Sequence, residues 1–195
     1  IGVAAGLSNE DLRVVVTAQA CFLSMRSFEQ VRQFCGYMGY PLVLVGISSG
    51  FGLTFFGNTH YSLEDFKLMT SIPNMTVVSP SDASQSAKYL EFALNYGKPI
   101  YIRCTGETPS KVIYKDDYKL ELGKAIKHRD GNSYCVLATG SVLYQTLQAV
   151  DEIQRTYGID IAVYDMHSIS HLDDDVILSE ARSKVLFTVE EHFID

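Results

Sequence analysis

The chain has 195 residues, enough for one large domain or two small ones, and its 47% hydrophobic and 20% charged content is typical of a globular protein. A formal net charge of −7 argues against a nucleic-acid partner, because phosphate binding needs a basic surface. No apolar run approaches the roughly 18 residues of a membrane span, and the four cysteines form no C-x-x-C pair. We therefore expect a cytoplasmic protein with reduced thiols.

The first hundred residues alternate short β-branched runs with helical patterns. Strands are predicted at 13–17, 42–47, 75–78 and 99–103. One helix is predicted at 22–38, and Asp82 is a good N-cap for a second helix that ends at Tyr96. Strands separated by helices of this size pair in parallel, and ligands of such sheets bind beyond the carboxyl ends of the strands.

The segment 52–74, GLTFFGNTHYSLEDFKLMTSIPN, follows the second predicted strand. Its Gly-rich turn presents a lone histidine, His60, and an acidic helix start follows at 62–65. Loops held by rigid elements commonly carry the polar groups that reach a ligand. His60 is therefore a candidate functional residue, although a lone histidine in a loop more commonly caps that loop.

The character of the sequence changes after residue 106, where Thr, Pro, Ser, Lys and Asp replace the apolar runs. We predict a domain at 1–106, a linker at 107–119 and a second domain at 120–195. The second domain contains strand patterns at 134–138, 159–163 and 184–189, with helices ending at Tyr157 and starting at Asp173. The chain begins without Met, and the second domain has no closing helix, so we interpret the sequence as a piece of a longer protein. The predicted fold class is α/β, with two doubly wound domains and mostly parallel sheets.

Two long stretches resemble the transketolase family of thiamine-diphosphate enzymes, and deoxyxylulose-phosphate synthase as well. Residues 1–103 contain IGVAAGL, the Thr59-His60 loop and IPNM in the order of the pyrimidine-binding domain. Residues 120–192 contain LGKA, VLATGS and TVEEH in the order of the C-terminal domain. The resemblance implies the transfer of a two-carbon ketol unit between sugars, with thiamine diphosphate and Mg²⁺ as cofactors.

Three residues spaced by three, Phe22, Met25 and Phe28, would share one face of a helix. A stripe of core residues is the simplest interpretation of that pattern. The resemblance implies that they bind the cofactor instead, because residues at these positions in the family pack on its aminopyrimidine ring. The polarizable thioether of Met25 suits the same ring contact.

The resemblance gives His60 a catalytic role at the reacting carbonyl and its developing oxyanion. An imidazole titrates near neutral pH and can donate or relay a proton there.

Arg26 and Arg103 match arginines of the synthase branch, which implies substrate binding; otherwise they are surface or sheet-end cations. The other histidines lack the spacing of metal ligands, so we expect them to be solvated or structural and expect no metal site in this chain. They are His128, His167, His171 and His192.

Some family features are missing from the sequence. The glutamate that protonates the pyrimidine ring would fall four residues before Ile1, and no Gly-Asp-Gly…Asn motif for the metal is present. The family's acidic residue near the reacting histidine is Phe56 here, and its two phosphate-binding cations align with Gly106 and with Ser48 or Ser49. We therefore expect an acceptor other than a simple aldose phosphate.

We interpret the chain as the C-terminal part of a transketolase-like enzyme that is inactive alone. The expected partners are sugar substrates, a diphosphate-binding section upstream or on a separate subunit, and a second copy in a homodimer. One alternative is an E1-β-like subunit of a 2-oxo-acid dehydrogenase, although the Thr59-His60 and IPN details favour transketolase. Another alternative is a non-catalytic pyrimidine-domain subunit, which a residue other than Glu four positions before Ile1 would support.

Overall fold

A computed structural model describes residues 1–105 and 111–194, which form two four-stranded sheets flanked by helices. The first sheet is parallel throughout and has the spatial order β1-β2-β4-β3. Its strands are β1 (Val15–Gln19), β2 (Val43–Ile47), β3 (Thr76–Val78) and β4 (Ile100–Arg103). The parallel sheet and its four strands confirm the predicted fold class for this half of the chain.

The predicted helix at 22–38 is broken into three pieces. A π-helical turn at Phe22–Arg26 leads through Ser27 into a short α-helix, α2 (Phe28–Val31), and a second π-helical stretch follows at Arg32–Tyr37. The hydroxyl of Ser27 donates to the carbonyl of Leu23 at 2.7 Å, a contact that bends helices. A short helix before β1, α1 (Gly2–Ser8), was not predicted.

Two further helices lie beside the first sheet, α3 (Asp65–Thr70) and α4 (Ala83–Tyr96). The ends of α4 confirm the predicted caps. The carboxylate of Asp82 accepts a hydrogen bond from the Gln85 N–H at 2.8 Å, and Gly97 follows the helix in the left-handed conformation.

The second sheet has the spatial order β5-β7-β6-β8. Its strands are β5 (Ile126–Arg129), β6 (Tyr134–Ala138), β7 (Ile161–Asp165) and β8 (Val185–Val189). Its helices are α5 (Val142–Tyr157) and α6 (Asp174–Ala181). β5 pairs antiparallel with β7, whereas the other pairs are parallel. β5 was not predicted because its sequence, IKHR, contains no apolar run.

Apolar side chains cover both faces of each sheet. On the first sheet, one core includes Val31, Leu44 and Met69, and the opposite face packs Val78 and Ile102.

None of the helices in the described residues is long and apolar enough to cross a bilayer. The four cysteines carry free thiols, as predicted. Residues 107–110 of the predicted linker lie outside the described part of the chain.

Asp165, the last residue of β7, joins the two sheets through a buried set of hydrogen bonds. Its carboxylate accepts from the Ser81 hydroxyl at 2.8 Å, the Gln85 amide at 2.9 Å and the Tyr114 hydroxyl at 2.6 Å. Burial raises the pKa of Asp165 to about 6, although the three donors oppose that change. The backbone of Ser79 donates to the carbonyl of His167 at 2.8 Å nearby, so the sheets share a polar seam.

This seam predicts a pH dependence of stability. Folding raises the pKa of Asp165 from 3.8 to about 6. The contribution of Asp165 to the free energy of unfolding is therefore complete below pH 3.8 and is lost as the pH rises through 6. We expect the free energy of unfolding of the wild type to fall between pH 4 and 7, relative to Asp165→Asn, by on the order of 3 kcal/mol. Urea unfolding at several pH values measures it, with exposed Asp116→Asn as the control. Parallel pH profiles of the wild type and Asp165→Asn would contradict the prediction.

Candidate functional site

Two segments come together at the carboxyl edge of the first sheet. The π-helical turn that begins at Phe22 follows β1, and a loop that we call the His60 loop (50–62) follows β2. Because β1 and β2 are parallel neighbours, the segments that leave their carboxyl ends emerge side by side. This is the edge at which a ligand site was predicted.

The His60 loop is closed at its base by backbone hydrogen bonds. Gly50 and Ser62 each donate an N–H to the other's carbonyl at 3.0 Å. Gly50 has φ of 62°, a left-handed conformation that glycine adopts without strain. Between these ends, Thr54–Thr59 forms a 3₁₀-helical stretch that is interrupted at Gly57. The loop is therefore a compact unit with a fixed base.

His60 lies among aromatic rings in a half-buried position. Its imidazole centroid is 5.2 Å from the ring of Phe22, edge to face, and 4.6 Å from the ring of Phe56. The Nδ1 atom lies 2.9 Å from the hydroxyl of Thr59. The same hydroxyl lies 3.4 Å from the carbonyl of Phe56, to which it can donate. Because the Thr59 hydroxyl donates its hydrogen to the carbonyl of Phe56, it accepts the hydrogen bond from Nδ1–H of His60. The other ring nitrogen, Nε2, is then available to a ligand.

The first helical segment carries four predicted site residues, and two of them, Phe22 and Arg26, lie beside His60. The guanidinium carbon of Arg26 stands 4.1 Å from the centre of the Phe22 ring, a cation–π contact. The side chain of Met25 is exposed. Phe28 instead packs against the core of the first sheet, because the break at Ser27 changes the helical phase between it and Phe22. The structure thus groups Phe22 and Arg26 with His60, and it does not group Phe28 with them.

Arg103 lies beneath the His60 loop with only 1% of its surface exposed. Its Nε atom donates to both carboxylate oxygens of Asp65, at 2.9 and 3.1 Å, and its Nη2 atom donates to the carbonyl of Ser62 at 3.2 Å. The hydroxyl of Tyr101 adds a third contact to Asp65 at 3.0 Å. These contacts favour a role in supporting the loop over the substrate contact that the resemblance implied for Arg103. Sequence reasoning missed the role of Asp65, which was interpreted only as a helix start.

The remaining histidines do not form a metal site. In residues 1–105 and 111–194 there is no cluster of three His, Cys, Asp or Glu side chains that could hold a metal ion. His167 is buried, hydrogen-bonds the hydroxyl of Tyr89, and has its pKa lowered by burial to about 4. His128 bonds the hydroxyl of Tyr114 at 3.0 Å. Both are structural, as expected.

The surface beside His60 is rich in aromatic side chains and includes the guanidinium of Arg26. The loop carries three exposed aromatic side chains, Phe51, Phe55 and Phe56; the ring of Phe56 contacts the imidazole, and the ring of Phe55 packs against Phe56. Ser48 and Ser49 are buried, and Ser49 lies within 3.4 Å of the Thr105 hydroxyl. Gly106, the other predicted position of a missing phosphate contact, lies outside the described residues. Such a surface suits a flat heteroaromatic ring, which stacks on aromatic side chains.

Two family models match the chain. Residues 1–108 match the model described as transketolase, pyrimidine binding domain, and residues 123–195 match transketolase, C-terminal domain.

Curated relatives extend well beyond this chain. It is 34% identical over 193 residues to an apulose-4-phosphate transketolase subunit of Phocaeicola vulgatus, covering 98% of this chain and 62% of the relative. It is 33% identical over 181 residues to a 6-deoxy-6-sulfo-D-fructose transketolase subunit of Clostridium sp., covering 93% and 56%. The chain thus spans less than two thirds of the length of these relatives.

A solved structure described as a split gene transketolase, inactive beta4 tetramer, superimposes with a TM-score of 0.87. The identity is 28%, and the match covers 98% of this chain and 61% of that chain.

The contact between Thr59 and His60 predicts a defined imidazole tautomer. We expect Thr59→Val to remove the partner of Nδ1 and to increase the population of the tautomer protonated at Nε2. The cost in stability should stay near 1 kcal/mol, the usual value of one partly exposed hydrogen bond. Nitrogen-15 NMR of the His60 ring reports the tautomer, with Thr54→Val in the same loop as the control. Identical ring spectra for the wild type and Thr59→Val would contradict the prediction.

Proposed function

Because the chain belongs to the transketolase family, we propose that it forms the pyrimidine-binding and C-terminal sections of a thiamine-diphosphate enzyme that transfers a two-carbon ketol unit between sugars. The observation that carries the proposal is the site at the carboxyl edge of the first sheet. There, one imidazole lies against the ring of Phe22, beside an exposed cation. The family membership and this geometry support the same chemistry independently.

Phe22 and Met25 are the residues that would hold the aminopyrimidine ring. Phe22 is half-buried beside His60 and Met25 is exposed, so Phe22 would supply the stacking surface and the flexible thioether of Met25 an adaptable contact. Thiamine diphosphate supplies, when bound, the carbon nucleophile that takes up the two-carbon unit. The residues present suit the ring of this cofactor, and its diphosphate and Mg²⁺ would be held by another section of the enzyme.

His60 would act on the oxygen of the reacting carbonyl. Thr59 holds Nδ1 at 2.9 Å, so Nε2 is the nitrogen that faces the substrate. With Nδ1–H held by Thr59, Nε2 of the neutral ring accepts a proton, and the ring protonated there donates a hydrogen bond from Nε2 as negative charge develops on the oxygen and can pass that proton to it. Water is partly excluded by the aromatic rings of Phe22 and Phe56, which strengthens the interaction by lowering the local dielectric constant.

A partner that binds the diphosphate would cover the exposed part of the site. The side chains of Phe55 and Phe56 are 70% and 53% exposed, and clustered exposed aromatics mark interaction surfaces. Two relatives are described as transketolase subunits, which supports a separate partner chain. We propose a complex in which each site lies between this chain and that partner, within a homodimer of the pair.

The charges at the site favour an acceptor that carries little negative charge. Phe56 stands beside His60 where the family has an acid, and Arg103 is bound to Asp65 and cannot reach an acceptor. Arg26 is therefore the cation that this site offers from the described residues. A phosphate dianion needs about two good cationic or amide contacts to offset its desolvation. An uncharged acceptor, such as an unphosphorylated sugar or deoxy sugar, would suit the site better.

The proposed role of His60 is tested with the full-length chain and its diphosphate-binding partner. We expect His60→Ala to lower kcat/KM for ketol transfer by about 100-fold or more, because it removes the group that donates to the carbonyl oxygen. His171→Ala, at an exposed histidine of the second domain, should stay within about twofold of the wild type. A His60→Ala complex with near-normal activity would exclude the catalytic role. A wild-type complex that transfers no ketol unit would contradict the proposed function.

The preference for an acceptor is tested by steady-state kinetics of the same complex. We expect kcat/KM for ribose 5-phosphate to stay below roughly 10⁴ M⁻¹s⁻¹, the lower end of the ordinary enzyme range, because Arg26 is one cation where the family uses two. Uncharged aldoses serve as the comparison. A value above that limit would show that a phosphate site is formed by other residues.

A further inference from the structure

The base of the His60 loop is held by a residue of the second domain. Glu191 lies two residues beyond the end of β8, and its side chain lies against Gly50. A β-carbon built at Gly50 would stand 2.6 Å from Oε2 of Glu191 and 3.0 Å from its Cβ atom. A side chain at this position would therefore have to displace the Glu191 carboxyl group, and the φ of 62° at Gly50 would strain any residue other than glycine.

The backbone of Glu191 reaches the other end of the loop. Its carbonyl accepts from Nη2 of Arg103 at 2.8 Å, and the same nitrogen donates to the carbonyl of Ser62 at 3.2 Å. Next to it, the ring of His192 stands 5.3 Å from the ring of Phe66. One guanidinium thereby joins Ser62 and Glu191, and Gly50 is paired with Ser62 through the backbone, so Glu191 is linked to both ends of the loop.

The chemistry of this side chain differs from that of a simple packing residue. Burial raises the pKa of Glu191, while the charge of Arg103 and the N–H of Phe51 oppose that change. Among the described residues, Oε2 has no hydrogen-bond partner. A buried polar atom without a partner costs free energy, and a hydrocarbon side chain would fill the same space at lower cost. The feature that this side chain adds is its close contact with Gly50 at the base of the loop, since the bond to Arg103 is made by the backbone carbonyl of Glu191.

We propose that Glu191 is a positioning residue for His60: it clamps the base of the His60 loop and thereby keeps the imidazole against the ring of Phe22. The effect on catalysis rests on the function proposed above, whereas the contact between Glu191 and the His60 loop is a property of this chain alone. Because kcat depends on where the imidazole stands, loosening of the loop should lower kcat more than it raises KM.

The test compares Glu191→Ala and Glu191→Gln with the wild type in the full-length chain bound to its partner. Glu190→Ala is the matched control, because Glu190 is its exposed neighbour. We expect Glu191→Ala to lower kcat at least tenfold with less than a threefold change in KM. Glu191→Gln keeps the length and one acceptor oxygen, so it should recover to within about threefold of the wild type.

A second measurement reads the loop without reference to activity. We expect amide hydrogen exchange in residues 51–61 to become at least fivefold faster in Glu191→Ala, with unchanged exchange in β2 and β4. If that variant does not fold, Glu191→Asp replaces it, since it keeps the charge but withdraws the carboxyl group by one methylene. If Glu191→Ala shows the same amide exchange and the same kcat as the control Glu190→Ala, the proposal is overturned. If the wild-type complex shows no ketol transfer, the proposed function fails, while the exchange data still decide whether Glu191 clamps the loop.

Discussion

The buried ion pair of Arg103 and Asp65 supports the whole candidate site. Two charged groups with 1% and 0% of their side-chain surface exposed are stable there because the guanidinium and the carboxylate satisfy each other at 2.9 Å. Removal of one partner of such a pair typically costs roughly 3–5 kcal/mol, because the other charge is left buried. The same guanidinium holds the carbonyls of Ser62 and Glu191. The position of His60 therefore depends on a charge pair that lies outside the reacting surface.

The two sheets meet through polar contacts at their carboxyl ends, beside apolar contacts in which Ile169, Leu120 and Leu122 pack against the cores of the first sheet. Asp165 at the end of β7 bonds Ser81 and Gln85, which follow β3. Glu191, beyond the end of β8, lies on Gly50, which follows β2. Polar contacts of this kind are directional, so they fix one relative orientation of the sheets. The site edge of the first sheet and the seam between the domains are thus parts of one continuous polar layer.

The fold was predictable from the sequence wherever local pattern decides structure. Apolar runs such as 42–47 became strands, and the Asp82 cap was predicted correctly, since both signals lie within a few residues. β5 was missed because its charged residues form no apolar pattern, and the break at Ser27 was missed because helical spacing does not reveal an extra residue in a turn. At the site, family motifs made Phe22 and His60 candidates, and the structure places their rings 5.2 Å apart. The pairing of Arg103 with Asp65, 38 residues apart, and its contact with Glu191, 88 residues away, follow from three-dimensional packing, which periodicity does not encode.

The contact between Glu191 and Gly50 also defines what can be exchanged between homologous proteins. A boundary drawn through the linker near residue 107 separates the two sheets but assigns the clamp and the loop to different parents. A chimera built at that point would retain both hydrophobic cores but take Glu191 from one parent and Gly50 from the other, where a β-carbon built at Gly50 would stand 2.6 Å from the Glu191 carboxyl group. The His60 loop and residues 190–193 should therefore be taken from the same parent protein, although they lie far apart in the sequence. Recombination that keeps the loop and residues 190–193 together would preserve the contact between Glu191 and Gly50, whereas recombination at the domain boundary would take its two sides from different parents.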